Sequence, residues 1–117
     1  QTGAGAIFNY LHPEPDAAII VTGCGPVGLS AIMAAKIAGC GKIIACDIVP
    51  SRLELALELG ATHALNSKEV PSVPEAVRAL TGGLGTHYAV DCTGIGPCVR
   101  QSLNCTRPTG RYPGSDH

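Results

Sequence analysis

The stretch Ala18-Ile-Ile-Val-Thr-Gly-Cys-Gly-Pro-Val-Gly28 decides the fold. It reads as an apolar strand, Ala18–Thr22, running into Gly23-x-Gly25-x-x-Gly28, with a helical pattern from about Pro26 to Ala38 behind it. A second apolar strand, Lys42–Cys46, follows and ends on an acid, Asp47. A glycine triplet alone is a weak signal, because glycine is common and the pattern is short. With a strand before it, a helix after it and an acid about 20 residues on, it becomes a dinucleotide-binding fingerprint. The plainer alternative, a strand–turn–helix with an incidental glycine-rich turn, lacks that context.

Each glycine has a separate task. Gly23 lets the chain turn tightly out of the strand. Gly25 has no Cβ to block a pyrophosphate approaching the backbone, and Gly28 lets the helix pack close to the sheet. The helix then aims its free N–H groups and positive dipole end at the phosphates. Gly28, Ala31 and Ala35 make a small-residue stripe, while Leu29, Ile32, Met33 and Ile37 are expected to supply core bulk. Asp47 stands where a carboxylate accepts both hydrogen bonds of an adenosine ribose diol, and its charge repels a 2′-phosphate. NAD is therefore favoured over NADP. Arg52 qualifies this, since it can lie over the adenosine, meet a 2′-phosphate or simply face solvent.

Four stretches carry a family resemblance: Gln1-Thr-Gly-Ala-Gly-Ala6, Gly23-Cys-Gly-Pro-Val-Gly28, Leu59-Gly-Ala-Thr-His63, and Thr81-Gly-Gly-Leu-Gly85 with Tyr88-Ala-Val-Asp-Cys-Thr-Gly94. In order and spacing the chain resembles the cofactor-binding domain of the zinc-containing medium-chain alcohol dehydrogenases, including their aryl (benzyl) alcohol branch. The resemblance implies NAD(P)-dependent oxidation of an alcohol to an aldehyde or ketone. It also implies that Thr2 and Val27 lie beside the nicotinamide and that Thr93 and Gly94 lie along the cofactor. The expected cofactor-contacting residues are thus Thr2, Gly23, Gly25, Pro26, Val27, Gly28, Asp47, Ile48, Arg52, Cys92, Thr93 and Gly94. In this family the catalytic zinc ligands lie upstream of the Thr-Gly-x-Gly stretch, so no catalytic residue and no metal ligand is expected within this segment. After Arg107-Pro-Thr-Gly110 the family continues with an apolar strand. Here Pro113 and Gly114 interrupt the pattern, and the sheet is expected to stop early.

A chain of 117 residues accommodates one domain. The apolar fraction of 45% can build a core, and the charged fraction of 15% suits a sheet covered on both faces. A formal net charge of −1 gives no electrostatic case for nucleic acid or an anionic membrane. No stretch is long and apolar enough to span a bilayer, and the start lacks a secretion signature, so a cytoplasmic setting is expected. The six cysteines include no C-x-x-C pair at structural-zinc spacing and are expected to be reduced and inert, Cys46 and Cys92 being buried within strands. His12, His63, His87 and His117 have no converging ligands in sequence and read as structural or solvent-facing.

The remaining elements follow from punctuation. A helix over Ala4–Leu11 stops before Pro13, Pro50 opens a helix that ends at Gly60, and a short strand covers about His63–Leu65. Ser72 and Glu75 form a capping box for a helix over Val73–Leu80, and Leu53, Ala56 and Leu57 are the expected apolar face of the helix before it. Tyr88–Cys92 is the fourth strand and Gly96–Cys105 the last helix. Alternating strands and helices argue for an α/β, Rossmann-type three-layer parallel sheet of order 3-2-1-4, truncated after about four strands. Residues 1–117 are expected to form a partial domain of this kind. The fourth strand would present an open edge, predisposing the isolated chain to marginal stability or self-association.

The leading functional expectation is an NAD-binding domain of an alcohol dehydrogenase-like oxidoreductase, binding the cofactor without independent catalysis. Alternatives are a zinc-independent quinone or enoyl reductase-like domain using NADP, a non-catalytic NAD-binding or scaffold protein, and a methyltransferase-like domain. Asp47 argues against the first. Val21-Thr22, where methyltransferases carry an acid, argues against the last.

Overall fold

The computed structural model describes residues 17–107. Thr2, the expected helix over Ala4–Leu11, His12, and the tail with Pro113 and His117 lie outside the described residues. Four strands, β1 (Ala18–Thr22), β2 (Lys42–Asp47), β3 (His63–Asn66) and β4 (Tyr88–Asp91), pair in parallel in the order β3-β2-β1-β4. The intervening helices are α1 (Pro26–Ala38), α2 (Pro50–Leu59) and α3 (Val73–Leu80), and α4 (Gly96–Asn104) follows β4.

β1 is central and buried along its whole length, which is why it reads as a continuous apolar run rather than an alternating one. Its register runs from Ala18 opposite Lys42 to Thr22 opposite Cys46. Successive side chains point to opposite faces. Ile19, Val21, Ile43 and Ala45 pack on Ala31, Ile32, Leu53 and Ala56 of α1 and α2. Ile20, Ile44 and Cys46 pack on Val73, Val77 and Cys105 on the other face. Each buried isoleucine contributes roughly 2 kcal/mol relative to exposure, so the central strands carry most of the stabilisation.

The helix ends follow the sequence punctuation. Gly39 takes φ +92° after α1, where Cys40 N–H donates to Ala35 O at 3.1 Å, closing the last turn. Ser72 Oγ accepts from Glu75 N–H at 3.3 Å to start α3. β2 runs one residue further than expected, through Asp47, and β3 through Asn66, because these two residues pair with each other.

Three expectations about the core are corrected. Met33 and Ile37 do not face the sheet: Ile37 is 81% exposed and Met33 is also exposed. α1 is apolar nearly all round, so periodicity alone does not select its buried side; the close seat of Gly28 on the turn does. That contact orients Ala31, Ile32 and Ala35 inward and turns Met33 and Ile37 out. On α2, Leu53 and Ala56 are buried but Leu57 is exposed. The third correction concerns Cys92, which lies beyond the end of β4 and is half-buried instead of buried within the strand. The sheet has four strands, as expected. After α4 one isolated parallel bridge joins Thr106 to Thr86, with Arg107 N–H donating to Thr86 O at 2.8 Å.

Candidate nucleotide-binding cleft

The C-terminal ends of β1, β2 and β4 open into a cleft of about 380 Å³. It lies where the connections leaving β1 and β4 diverge to opposite faces, the position at which open parallel sheets form a ligand crevice.

The floor is the turn between β1 and α1. Gly23 adopts φ +91°, and its N–H donates to Cys46 O at 2.9 Å. A Cβ there would meet Thr93 Cγ2 at 2.9 Å, so both dihedral and space require glycine. A Cβ on Gly28 would overlap the carbonyl oxygen of Gly23. Gly25 differs from both: its φ is −77°, and a Cβ there would meet no protein atom within 4 Å. That open space belongs to the cleft. α1 begins at Pro26 without a side-chain cap, leaving the first-turn N–H groups of Val27 and Gly28 without helical acceptors.

Asp47 closes the side toward β2 and is 8% exposed. Its Oδ2 accepts from Cys24 N–H at 2.7 Å, and its Oδ1 from Ile48 and Val49 N–H at 2.6 and 3.1 Å. A carboxylate has about four acceptor sites. Three are filled by backbone, so one remains on Oδ2, and full recognition of a diol would need a shared or rearranged bond. Arg52 Nη1 stands 3.8 Å from Oδ2 on a side chain that is 53% exposed. The exposed Ile48 side chain adds apolar wall.

The opposite wall comes from the turn after β4. Asp91 accepts from Thr93 and Gly94 N–H at 3.2 and 2.9 Å and from Thr93 Oγ1 at 2.8 Å. This folds Asp-Cys-Thr-Gly into a side-chain-templated turn and lets Gly94 take φ +70°. Beneath it, Thr22 and Ser102 share a buried hydroxyl hydrogen bond of 2.7 Å that ties α4 to the end of β1. Burial pushes the thiols of Cys24 and Cys46 up to about 12, and burial with the Asp91 charge pushes Cys92 up to about 11.

Of the residues expected from sequence, Gly23, Gly25, Asp47, Ile48, Arg52, Cys92 and Thr93 line one cleft. Gly28 is buried under the turn, while Pro26, Val27 and Gly94 are exposed beside the cleft without lining it. Thr2 lies outside the described residues. Sequence reasoning missed Ser67, Ile95, Cys98 and Gln101 on the walls, and Asp91 as the organiser of the turn. The Asp-x-Thr-Gly spacing was the available signal for Asp91. The others come from distant segments and carry no local signature. Among the described residues, no group of three or more His, Cys, Asp or Glu side chains is placed to hold a metal ion. The described histidines have other bonds: His87 Nδ1 accepts from Ala18 N–H at 3.0 Å, and His63 Nδ1 lies 2.8 Å from Thr62 Oγ1.

This geometry has close counterparts. The chain is 40% identical over 110 residues to geraniol dehydrogenase of Castellaniella defragrans, covering 94% of this chain and 29% of that protein. It superposes with a TM-score of 0.85 on an alcohol dehydrogenase zinc-binding domain protein from Burkholderia ambifaria, at 53% identity, covering 90% of this chain and 28% of the other. Benzyl alcohol dehydrogenase of Acinetobacter calcoaceticus gives the same TM-score at 43% identity, over 91% of this chain and 29% of its own. The chain thus spans less than a third of the length of these relatives. The zinc-binding dehydrogenase family model matches residues 26–113, beginning at the first residue of α1 and taking in Asp47 and the turn after β4. The chain belongs to the zinc-binding dehydrogenase family.

Proposed function

We propose that this chain is the NAD-binding part of an alcohol dehydrogenase-like oxidoreductase, with the dinucleotide seated in the cleft above the Gly23–Gly28 turn. The observation that carries this is the contrast among the three glycines. Gly23 and Gly28 are required by protein packing, whereas the Cβ position of Gly25 is vacant toward the cleft, as a close phosphate needs. Val27 and Gly28 N–H groups would receive the pyrophosphate. The remaining acceptor site of Asp47 would take a ribose hydroxyl, and its negative charge disfavours a 2′-phosphate. Arg52, held near Asp47 and half in solvent, would cover the adenosine. The turn templated by Asp91 would position Thr93 and Gly94 along the cofactor, and Thr2 and Val27 would flank the nicotinamide.

When bound, the dinucleotide supplies the hydride acceptor; the protein supplies position and electrostatics. The described residues offer no ligand set for zinc, so no step through a metal is assigned to them. Similarity to geraniol and benzyl alcohol dehydrogenases favours alcohol oxidation over the quinone reductase, scaffold and methyltransferase alternatives. Six free thiols support a reducing, cytoplasmic setting. No described helix is long and apolar enough to cross a membrane. Self-association through the upper edge of β4 belongs to the same reading.

A chemical-shift map of the isotope-labelled 117-residue chain tests the placement. Added NADH is expected to move the amides of Val27, Gly28, Ile48 and Thr93 together. Shifts confined to α2, α3 and β3 would refute it.

A further inference from the structure

α4 carries its side chains against the usual order of burial. From Gly96 to Cys105 only Cys98, Gln101, Ser102 and Cys105 are not exposed, a helical spacing that marks one face turned toward the sheet. Val99 and Leu103 lie outside, while the polar Gln101 sits on the inward face. The lower part of that face is filled by the protein: Ser102 bonds Thr22, and Cys105 joins the cluster of Ile20 and Val77. The upper part, Cys98 and Gln101, lines the cleft.

Gln101 is half-buried, and its carboxamide makes no hydrogen bond among the described residues. Its backbone is held in place, because the Thr22–Ser102 bond ties the next residue to the end of β1, and Gln101 O accepts from Cys105 Sγ at 3.2 Å. A carboxamide held in a cleft with its donors and acceptor unused suits a ligand that presents an acceptor and a donor side by side. Two aliphatic side chains flank the same space. Ile48 follows β2 and Ile95 precedes α4; they are 51% and 55% exposed, and both line the cleft. Because β1 lies between β2 and β4, they stand on opposite sides of it. Apolar walls and a convergent polar group suit a flat heteroaromatic ring, whose faces meet hydrocarbon and whose edge meets the carboxamide. Among such rings, adenine sets an amino group beside a ring-nitrogen acceptor, the pattern a glutamine pairs with through two hydrogen bonds.

We propose that Gln101 determines which base the cleft accepts, a step that rests on the nucleotide reading given above and extends it to the identity of the base. The carboxamide oxygen accepts from the 6-amino group of adenine, and the carboxamide N–H donates to the adjacent ring nitrogen. Ile48 and Ile95 lie against the ring faces. Ile48 directly follows Asp47 in the chain, so a base attached to a ribose at Asp47 meets this wall. Selectivity follows from the bond pattern. A purine whose 6-amino nitrogen is tied into a fused ring offers no donor there and leaves the carboxamide oxygen unmatched.

Two measurements test this. In isotope-labelled chain of 117 residues, saturating adenosine is expected to shift the side-chain amide resonances of Gln101; resonances that stay in place would overturn the proposal without recourse to any variant. The second is a calorimetric comparison of NAD with its 1,N6-ethenoadenine analogue, on the parent chain and on Gln101→Leu. The substitution should weaken NAD binding about tenfold or more while changing the analogue by less than about twofold, so that the parent's preference for NAD collapses. Leucine is a strong helix former and no hydrogen bond within the described residues is lost, so circular dichroism should show the variant folded. Equal weakening of both dinucleotides would reduce Gln101 to a structural role, and unchanged NAD affinity would remove it from the site; either result would overturn the proposal. Parent chain that binds no NAD would instead refute the seat over the Gly23–Gly28 turn, and the adenosine shift would still decide the assignment of the base.

Discussion

Gly25→Ala separates the stability of the fold from the function of the turn. Gly25 already has φ −77°, and an added Cβ would meet no protein atom within 4 Å. As the residue before α1 it loses part of its capping preference on becoming alanine, a cost of roughly 0.5–1 kcal/mol. Reduced freedom of the unfolded chain offsets about 0.4–1 kcal/mol of this. The net change should lie within about 0.5 kcal/mol, or roughly 2–4 °C in Tm for a domain of this size. Binding should behave differently. The methyl group occupies the space a phosphate would use, and each lost hydrogen bond to a charged phosphate costs about 1.5–3 kcal/mol. NADH affinity should therefore fall at least about tenfold, since 1.4 kcal/mol is one decade. Differential scanning fluorimetry and a fluorescence titration on the same sample read both quantities. A folded Gly25→Ala chain that binds NADH as tightly as the parent would refute the seating of the pyrophosphate over this turn.

Other perturbations follow from the same geometry. Asp47→Asn should destabilise the ligand-free chain by about 2 kcal/mol, because one amide oxygen cannot replace a carboxylate accepting from Cys24, Ile48 and Val49; an unchanged urea midpoint would contradict this. Ser102→Ala should cost about 1–2 kcal/mol by orphaning the buried Thr22 hydroxyl, and adding Thr22→Val should recover part of the loss, measured as a double-mutant cycle. Burial holds the Cys24 and Cys46 thiols at about 12 and Cys105 at about 11, against an ordinary 9.0. The unfolded chain gives up those protons first, so stability is full below about pH 9 and falls above it, by up to about 1.4 kcal/mol per thiol per pH unit. A Tm flat from about pH 8 to about pH 11 would argue against that burial.

The fold was legible where local chemistry and global arrangement agree. The Ala18–Thr22 run, the glycine triplet and Pro50 mark their elements without tertiary help, and alternation of strand and helix then leaves few topologies. The orientation of α1 was not legible, because a helix whose polar residues are only Ser30 and Lys36 offers no amphipathic signal. Its orientation comes from one contact, Gly28 against Gly23, that joins residues of the turn in space. Asp47 was recognisable by position, but its service to three backbone N–H groups depends on how the turn after β1 passes over the end of β2. The meeting of Cys46 with Cys92 and Cys98 was hidden for a similar reason: Cys46 stands far before both in sequence, and only the sheet order β2-β1-β4 brings it to their cavity. The bridge of Thr86 to Thr106 also resisted reading, since Thr106-Arg107-Pro108 lacks the apolar run of a strand.

The most direct test of the central claim is a fluorescence titration of NADH into the 117-residue chain, with NADPH in parallel and far-UV circular dichroism confirming the fold. The account predicts saturable binding of NADH and weaker binding of NADPH, as Asp47 at the end of β2 requires. Folded chain that binds neither, or that prefers NADPH, would contradict it.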